Sequence, residues 1–328
     1  MVTIALLILI SGVGLWTGIQ NIAPRTSLSD LLGVSDRGTG SVAWKVEHHQ
    51  PITLLLLARG GSGNDNPNVT DTIMLMSLRP GSRHAVVVSL PRAAWVPIPA
   101  LQTGDVSGKL YSAYALGVHQ DNTSLRADWR SPTGAGDLAA ATVARLAGTK
   151  VDYWMVIDIE GFRSIIDAMG GVKVNIPVAL DDPGFPIDDT ERVTHVHIPA
   201  GEQVMNGERA LEYVRSRLST SEADRARRQE LILTATLSGL HGVATSPRII
   251  PLIGALQGHL LTNVGLSDGR RLAALVAEMD SASTQRVIVD QSNFMYIQSV
   301  PGGDEILLPR SGDYTALRQY LAATLAGG

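Results

Sequence analysis

The chain has 328 residues, with 27 Lys+Arg against 31 Asp+Glu and a formal net charge of −4, a balance that argues against a nucleic-acid binder with its net basic face. Apolar residues make up 45 % and charged residues 18 %, which supports a sizeable core and excludes a disordered chain, a coiled coil or a collagen. With no cysteine, a disulfide framework, a Cys-ligated zinc, an iron–sulfur cluster and a thiol nucleophile are excluded as well.

Val2 to Ile19 (VTIALLILISGVGLWTGI) runs 18 residues without a formal charge, and a bilayer-spanning helix needs about 20, with a range of roughly 17–25. No Lys or Arg precedes Arg25, and IQNIAP lacks an A-x-A cleavage site. Residues 1–22 therefore read as an uncleaved transmembrane anchor, with a cleaved signal peptide and a buried helix as alternatives. The positive-inside rule has no charge to count ahead of the span; a longer basic cytoplasmic tail would supply it. Residues 23–50 mix Pro, Gly, Ser and charge without periodicity and read as a juxtamembrane linker.

From residue 51 onward the pattern is that of a folded body. The β-branched, apolar runs 52–58, 72–78, 85–90, 151–159 and 172–178 predict strands, several of them buried on both faces. Apolar spacing of 3.6 residues predicts helices over 136–148, 160–170, 207–217, 223–240, 269–279 and 314–327. Strands interleaved with helices imply an α/β fold in three layers around a mixed sheet, forming one domain over 51–328.

Standard catalytic signatures are mostly missing. Gly60-Gly61-Ser62-Gly63-Asn64 fails the nucleophile elbow at its last position, and neither a P-loop nor an H-E-x-x-H occurs. Its glycines suit a flexible turn, or a loop bringing N–H groups to an anion. His195 and His197 alternate on one side of an expected strand, near Asp181, Asp182, Asp188 and Asp189. That pattern fits a solvated strand face beside an acidic loop, or a metal pair without a diagnostic third ligand.

The informative constellation is EYVRSRLSTSEADRARRQE. Arg215 and Arg217 close one helix; Arg225, Arg228 and Gln229 open the next at i, i+3 and i+4, on one helical face. An antiparallel turn through LSTSEA would gather four guanidinium groups, which repel one another without a polyanion and whose planar forks suit phosphate oxygens. The alternative is a surface helix whose arginines pair with Glu212, Glu222, Asp224 and Glu230.

Six stretches, in order, carry a resemblance: TDTIMLMSL (70–78), SLPRAAWVPIP (89–99), GKLYSAYALG (108–117), VDYWMVIDIEGFRSIIDAMGGVKVNIP (151–177), HIPAGEQVMNGERALEYVRSR (197–217) and DRARRQ (224–229). With them the chain resembles the LytR-CpsA-Psr (LCP) family, closely over about 50–240 and more loosely to the end. The resemblance implies a single-pass membrane protein with an extracytoplasmic α/β/α domain, in a Gram-positive or actinobacterial cell. It also implies a phosphotransferase that moves a glycopolymer from a polyprenyl-pyrophosphate carrier onto peptidoglycan through a phosphodiester. The family's lipid lies in a hydrophobic tunnel, Mg²⁺ sits on the pyrophosphate and arginines clamp it.

Carried over position by position, the resemblance puts Arg92, Arg215, Arg217, Arg225, Arg228 and Gln229 on the pyrophosphate. It puts Asp71 at magnesium or in ordering the arginines, and matches Lys109 to the lysine of the family's GK segment. Two family features are altered. The G-x-D-x-R-like element is Ala58-Arg59-Gly60-Gly61-Ser62, and the PRD motif is Pro91-Arg92-Ala93. Two carboxylates expected near the metal are thus replaced, leaving Asp71, with Asp65 as a stand-in and Arg59 as a displaced arginine. Mg²⁺ needs only one or two protein carboxylates beside substrate phosphates. The altered motif keeps two other readings open: a non-catalytic or regulatory paralogue that binds polyprenyl-linked glycan, and a polyprenyl-pyrophosphate hydrolase.

Overall fold

The computed structural model describes residues 40–60, 67–82, 84–187, 192–216, 221–243, 258–265, 268–269, 271–272, 275–276, 284–301 and 304–327. The expected anchor over 1–22, Arg217 and Asp65 lie outside the described residues. Among the described residues, no helix is long and apolar enough to cross a membrane.

The elements run α1 (Val42–Glu47), β1 (Ile52–Arg59), β2 (Thr70–Leu78), β3 (Ala85–Ser89), β4 (Trp95–Leu101), β5 (Gly104–Lys109), α2 (Ser112–Val118), α3 (Gly134–Ala147) and β6 (Tyr153–Asp158). They continue α4 (Ile159–Ala168), β7 (Val172–Ile176), β8 (Leu180–Pro186), β9 (Val193–Ile198), β10 (Gly201–Met205), α5 (Gly207–Arg215) and α6 (Glu222–Val243). The last are β11 (Leu260–Thr262), β12 (Gln285–Ile288), β13 (Met295–Ser299), β14 (Glu305–Pro309) and α7 (Thr315–Gly327).

Among the described residues, six strands form the central sheet in the order β11-β6-β1-β2-β3-β12. It is mixed: β1 runs parallel to β6 and antiparallel to β2, and β3 runs antiparallel to β2 and parallel to β12. Both faces are covered, which is why β1 to β3 read as continuous apolar runs instead of alternating ones. Leu55, Leu57, Leu75 and Val86 face α3 and α7, meeting Leu138, Val143, Leu317 and Leu321. Leu54, Met76, Val87 and Tyr153 face the other way, toward Ile166 of α4, Tyr213 of α5 and Ile232 of α6. Three layers result, as the pattern of alternating strands and helices predicts. The two-stranded ribbons β4-β5, β7-β10, β8-β9 and β13-β14 accompany this sandwich.

Two local features differ from the sequence reading. Part of the expected linker is folded: Ser41 caps α1, Val42 is wholly buried in the core, and Lys45 Nζ meets Asp152 Oδ2 at 2.5 Å. Six residues are too few for a periodic signal and owe their helicity to these tertiary contacts. β1 also ends in a bulge, its register with β2 shifting between Ala58 and Arg59. Such a shift re-aims the side chain that follows it.

Candidate functional site

β1 and β6 run parallel and end together at Arg59 and Asp158, an end where open α/β sheets bind ligands. Asp158 caps α4, accepting from Gly161 N at 2.9 Å. The same carboxylate lies 2.9 and 3.1 Å from His259 Nδ1 and 3.5 Å from Arg59 Nη2. Arg59 also donates to Asn68 Oδ1 at 3.4 Å, so the guanidinium that the bulge redirects is braced from two sides. Tyr114 stands nearby; burial raises its pKa and the Arg59 charge offsets part of that rise.

Between the sheet and helices α4, α5 and α6 lies a cavity of about 570 Å³. Leu56, Met74, Met155, Phe162, Val214 and Leu233 supply apolar wall. Arg59, Asp71, Asp158, Asp182, Arg215, Arg225 and Gln229 supply the polar lining. The polar groups gather at one end, because they sit at the carboxyl ends of β1 and β6, the start of β2, the last residue of α5 and the first two turns of α6. Along α6 the lining passes from Arg225 and Gln229 to Leu233 and Thr236, successive positions on one helical stripe. The result is an apolar slot with a charged rim.

The rim is not a bare arginine cluster. Asp71 pairs with Arg92, Asp158 is held as described, and buried Asp182 accepts from Ser216 Oγ and from Gly184 N at 3.1 Å. Mutual repulsion among the guanidinium groups, which the sequence suggests, is therefore offset by carboxylates in the same wall. Arg215 lies over the Phe185 ring at 6.0 Å, and Arg225 is 5 % exposed.

A second cavity of about 430 Å³ adjoins the first and shares Asp71, Met74, Arg225 and Gln229 with it. Arg92 lines this second space, and its guanidinium lies 5.5 Å from the centre of the Tyr111 ring. Lys109 lies against the same ring at 5.8 Å and pairs with Asp304; it lines neither cavity.

Arg228 sits apart from both cavities. It is buried, lines neither cavity, and donates from Nε to Tyr213 O at 2.7 Å and from Nη2 to Ser216 O at 2.5 Å. Those carbonyls belong to the end of α5, where backbone acceptors lose their intrahelical partners. The side chain thus stitches α5 to α6. His195 and His197 both contact Asp181 Oδ1, at 2.8 and 3.1 Å, on an exposed ribbon. Among the described residues, no group of three metal-ligating side chains occurs.

The sequence reading singled out neither Asp158 nor His259. The N-cap position of Asp158 ahead of an amphipathic helix was a usable signal. The contact of His259, 101 positions away, had none.

Fold and rim together define a mixed-sheet α/β protein with an apolar slot that opens at a rim of arginines and aspartates. The chain belongs to the LytR_cpsA_psr family, whose model matches residues 31–303. A relative from Bacillus cereus, the polyisoprenyl-teichoic acid–peptidoglycan teichoic acid transferase TagU, is 24 % identical over 231 residues, covering 70 % of this chain and 66 % of that protein. The Streptococcus mutans biofilm regulatory protein A is 25 % identical over 241 residues, covering 71 % and 54 %. The chain thus spans just under two thirds of one relative and about half of the other. Its fold matches crystal structures of Bacillus subtilis TagV (TM-score 0.63, 20 % identity, 84 % of this chain and 98 % of that one) and Streptococcus agalactiae gbs0355 (0.66, 19 %, 87 % and 91 %).

Proposed function

We propose that this protein is an extracytoplasmic phosphotransferase, anchored in the cell membrane by residues 1–22, that moves a glycopolymer from a polyprenyl-pyrophosphate carrier onto peptidoglycan. One observation carries the reading: an apolar slot of about 570 Å³ whose single polar end gathers Arg59, Arg215, Arg225, Gln229 and Asp71. A lipid pyrophosphate has that division between tail and head. The names of the teichoic acid transferases among its relatives support the same chemistry.

In this reading the isoprenoid lies against Leu56, Met155, Phe162 and Leu233, each buried carbon adding about 0.8 kcal/mol. Arg215 and Arg225 bond the phosphate oxygens as planar forks, a charge-assisted geometry that lysine does not reproduce. Arg59, braced by Asp158 and Asn68, serves as the third fork in place of the family's lost arginine. Phosphoryl transfer asks chiefly for positioning and charge stabilisation, so no covalent intermediate is needed.

Mg²⁺ fits this donor set only in company with the substrate. Asp71 is one carboxylate, the described residues hold no three-ligand cluster, and Mg²⁺ accepts one carboxylate plus phosphate oxygens and water. When bound, the ion would neutralise charge on the pyrophosphate. Asp71 would hold it at the wall common to both cavities.

The test incubates the purified full chain with a polyprenyl-pyrophosphoryl sugar, Mg²⁺ and a peptidoglycan oligomer. Sugar phosphate attached to the oligomer is the expected product. Free sugar phosphate would identify a hydrolase, and tight binding without turnover a non-catalytic paralogue.

A further inference from the structure

We infer that the second cavity is the acceptor site, taking a glycan hydroxyl and presenting it to the pyrophosphate across the wall that the two cavities share. This inference rests on the transferase reading and deepens it.

The first observation is the placement. Asp71, Met74, Arg225 and Gln229 face both spaces. A pyrophosphate held by Arg225 and Gln229, with its tail in the slot, turns its far phosphorus toward the second cavity. In-line displacement needs the attacking and leaving oxygens on opposite sides of phosphorus. Since the leaving polyprenyl phosphate lies on the slot side, the incoming hydroxyl arrives from the second cavity. The bond that forms joins the acceptor oxygen to the glycan-bearing phosphorus, and the bond that breaks is that phosphorus to the bridging oxygen. The hydroxyl proton passes to water, and polyprenyl phosphate departs with the bridging oxygen and its electron pair.

The second observation is independent. Ser89, at the end of β3, lines this cavity at 5 % exposure, and its Oγ has no hydrogen-bond partner among the described residues. A buried hydroxyl left so is unusual in a folded protein and calls for a missing partner. Ser89 pairs in register with Met74 of β2 and Ile288 of β12, so it occupies the floor beside the shared wall. The adjoining rim, directly after β12, is a turn fixed by Asp290, whose Oδ1 accepts from Ser292 N at 2.7 Å and Ser292 Oγ at 2.6 Å. That turn brings Gln291 to the cavity lining. Hydroxyl and amide side chains around a concave space are the polar groups that orient a sugar.

The experiment compares the full chain with Ser89→Ala and Gln291→Trp, one change on the floor and one in the exposed rim. Saturation-transfer NMR measures binding of a peptidoglycan glycan oligomer without donor, and a direct titration measures affinity for the polyprenyl-pyrophosphoryl sugar. We expect oligomer binding to weaken at least fivefold in both variants and the acceptor KM to rise in step. Donor affinity and the unfolding midpoint should stay at the parent's values. Oligomer binding equal to the parent's in both variants overturns the inference. So does a parallel loss of donor affinity at an unchanged unfolding midpoint, which would give the cavity to the donor's glycan. If Ser89→Ala unfolds, Gln291→Trp decides alone. If the parent transfers nothing while the oligomer signal still falls in the variants, the transferase reading fails and the sugar site stands.

Discussion

Arg228 and Arg215 come from the same motif region, yet the structure gives them opposite consequences on truncation. Arg228 makes two charge-assisted bonds to the carbonyls of Tyr213 and Ser216, at 2.7 and 2.5 Å, from a buried position. Bonds to a charged donor are each worth about 1.5–3 kcal/mol, giving roughly 3–6 kcal/mol of lost pairing. Removing the arginine also removes the cost of burying its charge, which returns part of that sum. Arg228→Met, which keeps the stem volume, should therefore destabilise by about 2–4 kcal/mol, read as a lower urea midpoint at unchanged slope. Arg215→Ala should cost less stability than Arg228→Met, because Arg215 is only partly buried, and should lower turnover about 10²–10³-fold, as loss of one preorganised donor does. An Arg228→Met protein with parental stability and collapsed turnover would refute the stitch and return Arg228 to the substrate.

Four other outcomes follow from the same geometry. Asp71→Ala should flatten the Mg²⁺ dependence of turnover while leaving lipid binding near the parental value; superimposable magnesium titrations would make Asp71 structural. Leu233→Trp should shorten the slot, so that affinity no longer climbs with isoprenoid chain length, against a parental gain of about 4 kcal/mol per five-carbon unit. Gly207→Ala should cost about 1–3 kcal/mol, because a Cβ there would stand 2.3 Å from Arg163 O; calorimetry at parental stability would show that α5 can shift. Burial raises the Glu230 pKa, with Arg286 at 2.7 Å offsetting part of it. The folded chain thus holds this proton more tightly than the unfolded one, and the associated stability is lost as pH rises from the ordinary value of 4.5 through the folded value. The unfolding temperature of Glu230→Gln relative to the parent should therefore climb from about pH 4 to about pH 7; a difference independent of pH would exclude it.

The layers were legible because β1, β2, β3 and β6 are apolar on both faces and the flanking helices keep a 3.6-residue stripe. The arginine face was only half legible. Arg225, Arg228 and Gln229 span a broad arc of α6. Gln229 continues into Leu233, which lines the slot, whereas Arg228 continues into Ile232, wholly buried in the core. Spacing alone placed them together; packing against α5 separated them. Other parts had no local signal. The bulge at Arg59 depends on pairing with β2, the Asp158–His259 contact joins distant segments, and the solitary hydroxyl of Ser89 is visible only once β12 lies beside β3.

The charge balance at the rim bears on how such a site can turn over. Among the described residues, three arginines and three aspartates line the first cavity, and their formal charges cancel. A tail that gains several kcal/mol per isoprenoid unit would hold substrate and departing polyprenyl phosphate alike, and uniform binding of that kind does not raise turnover. A strongly cationic rim would add to the retention of the product phosphate. With Asp158 and Asp182 already engaged by protein donors, the wall's negative charge is fixed in place and tempers ground-state attraction. In the proposed transfer the arginine forks would still meet the equatorial oxygens where charge develops. Replacing Asp158 by Asn would relax that balance. The proposed mechanism requires tighter binding of polyprenyl phosphate and slower multiple turnover, with little change in the first turnover. A single-turnover rate that falls as far as the steady-state rate would instead give Asp158 a part in the chemical step.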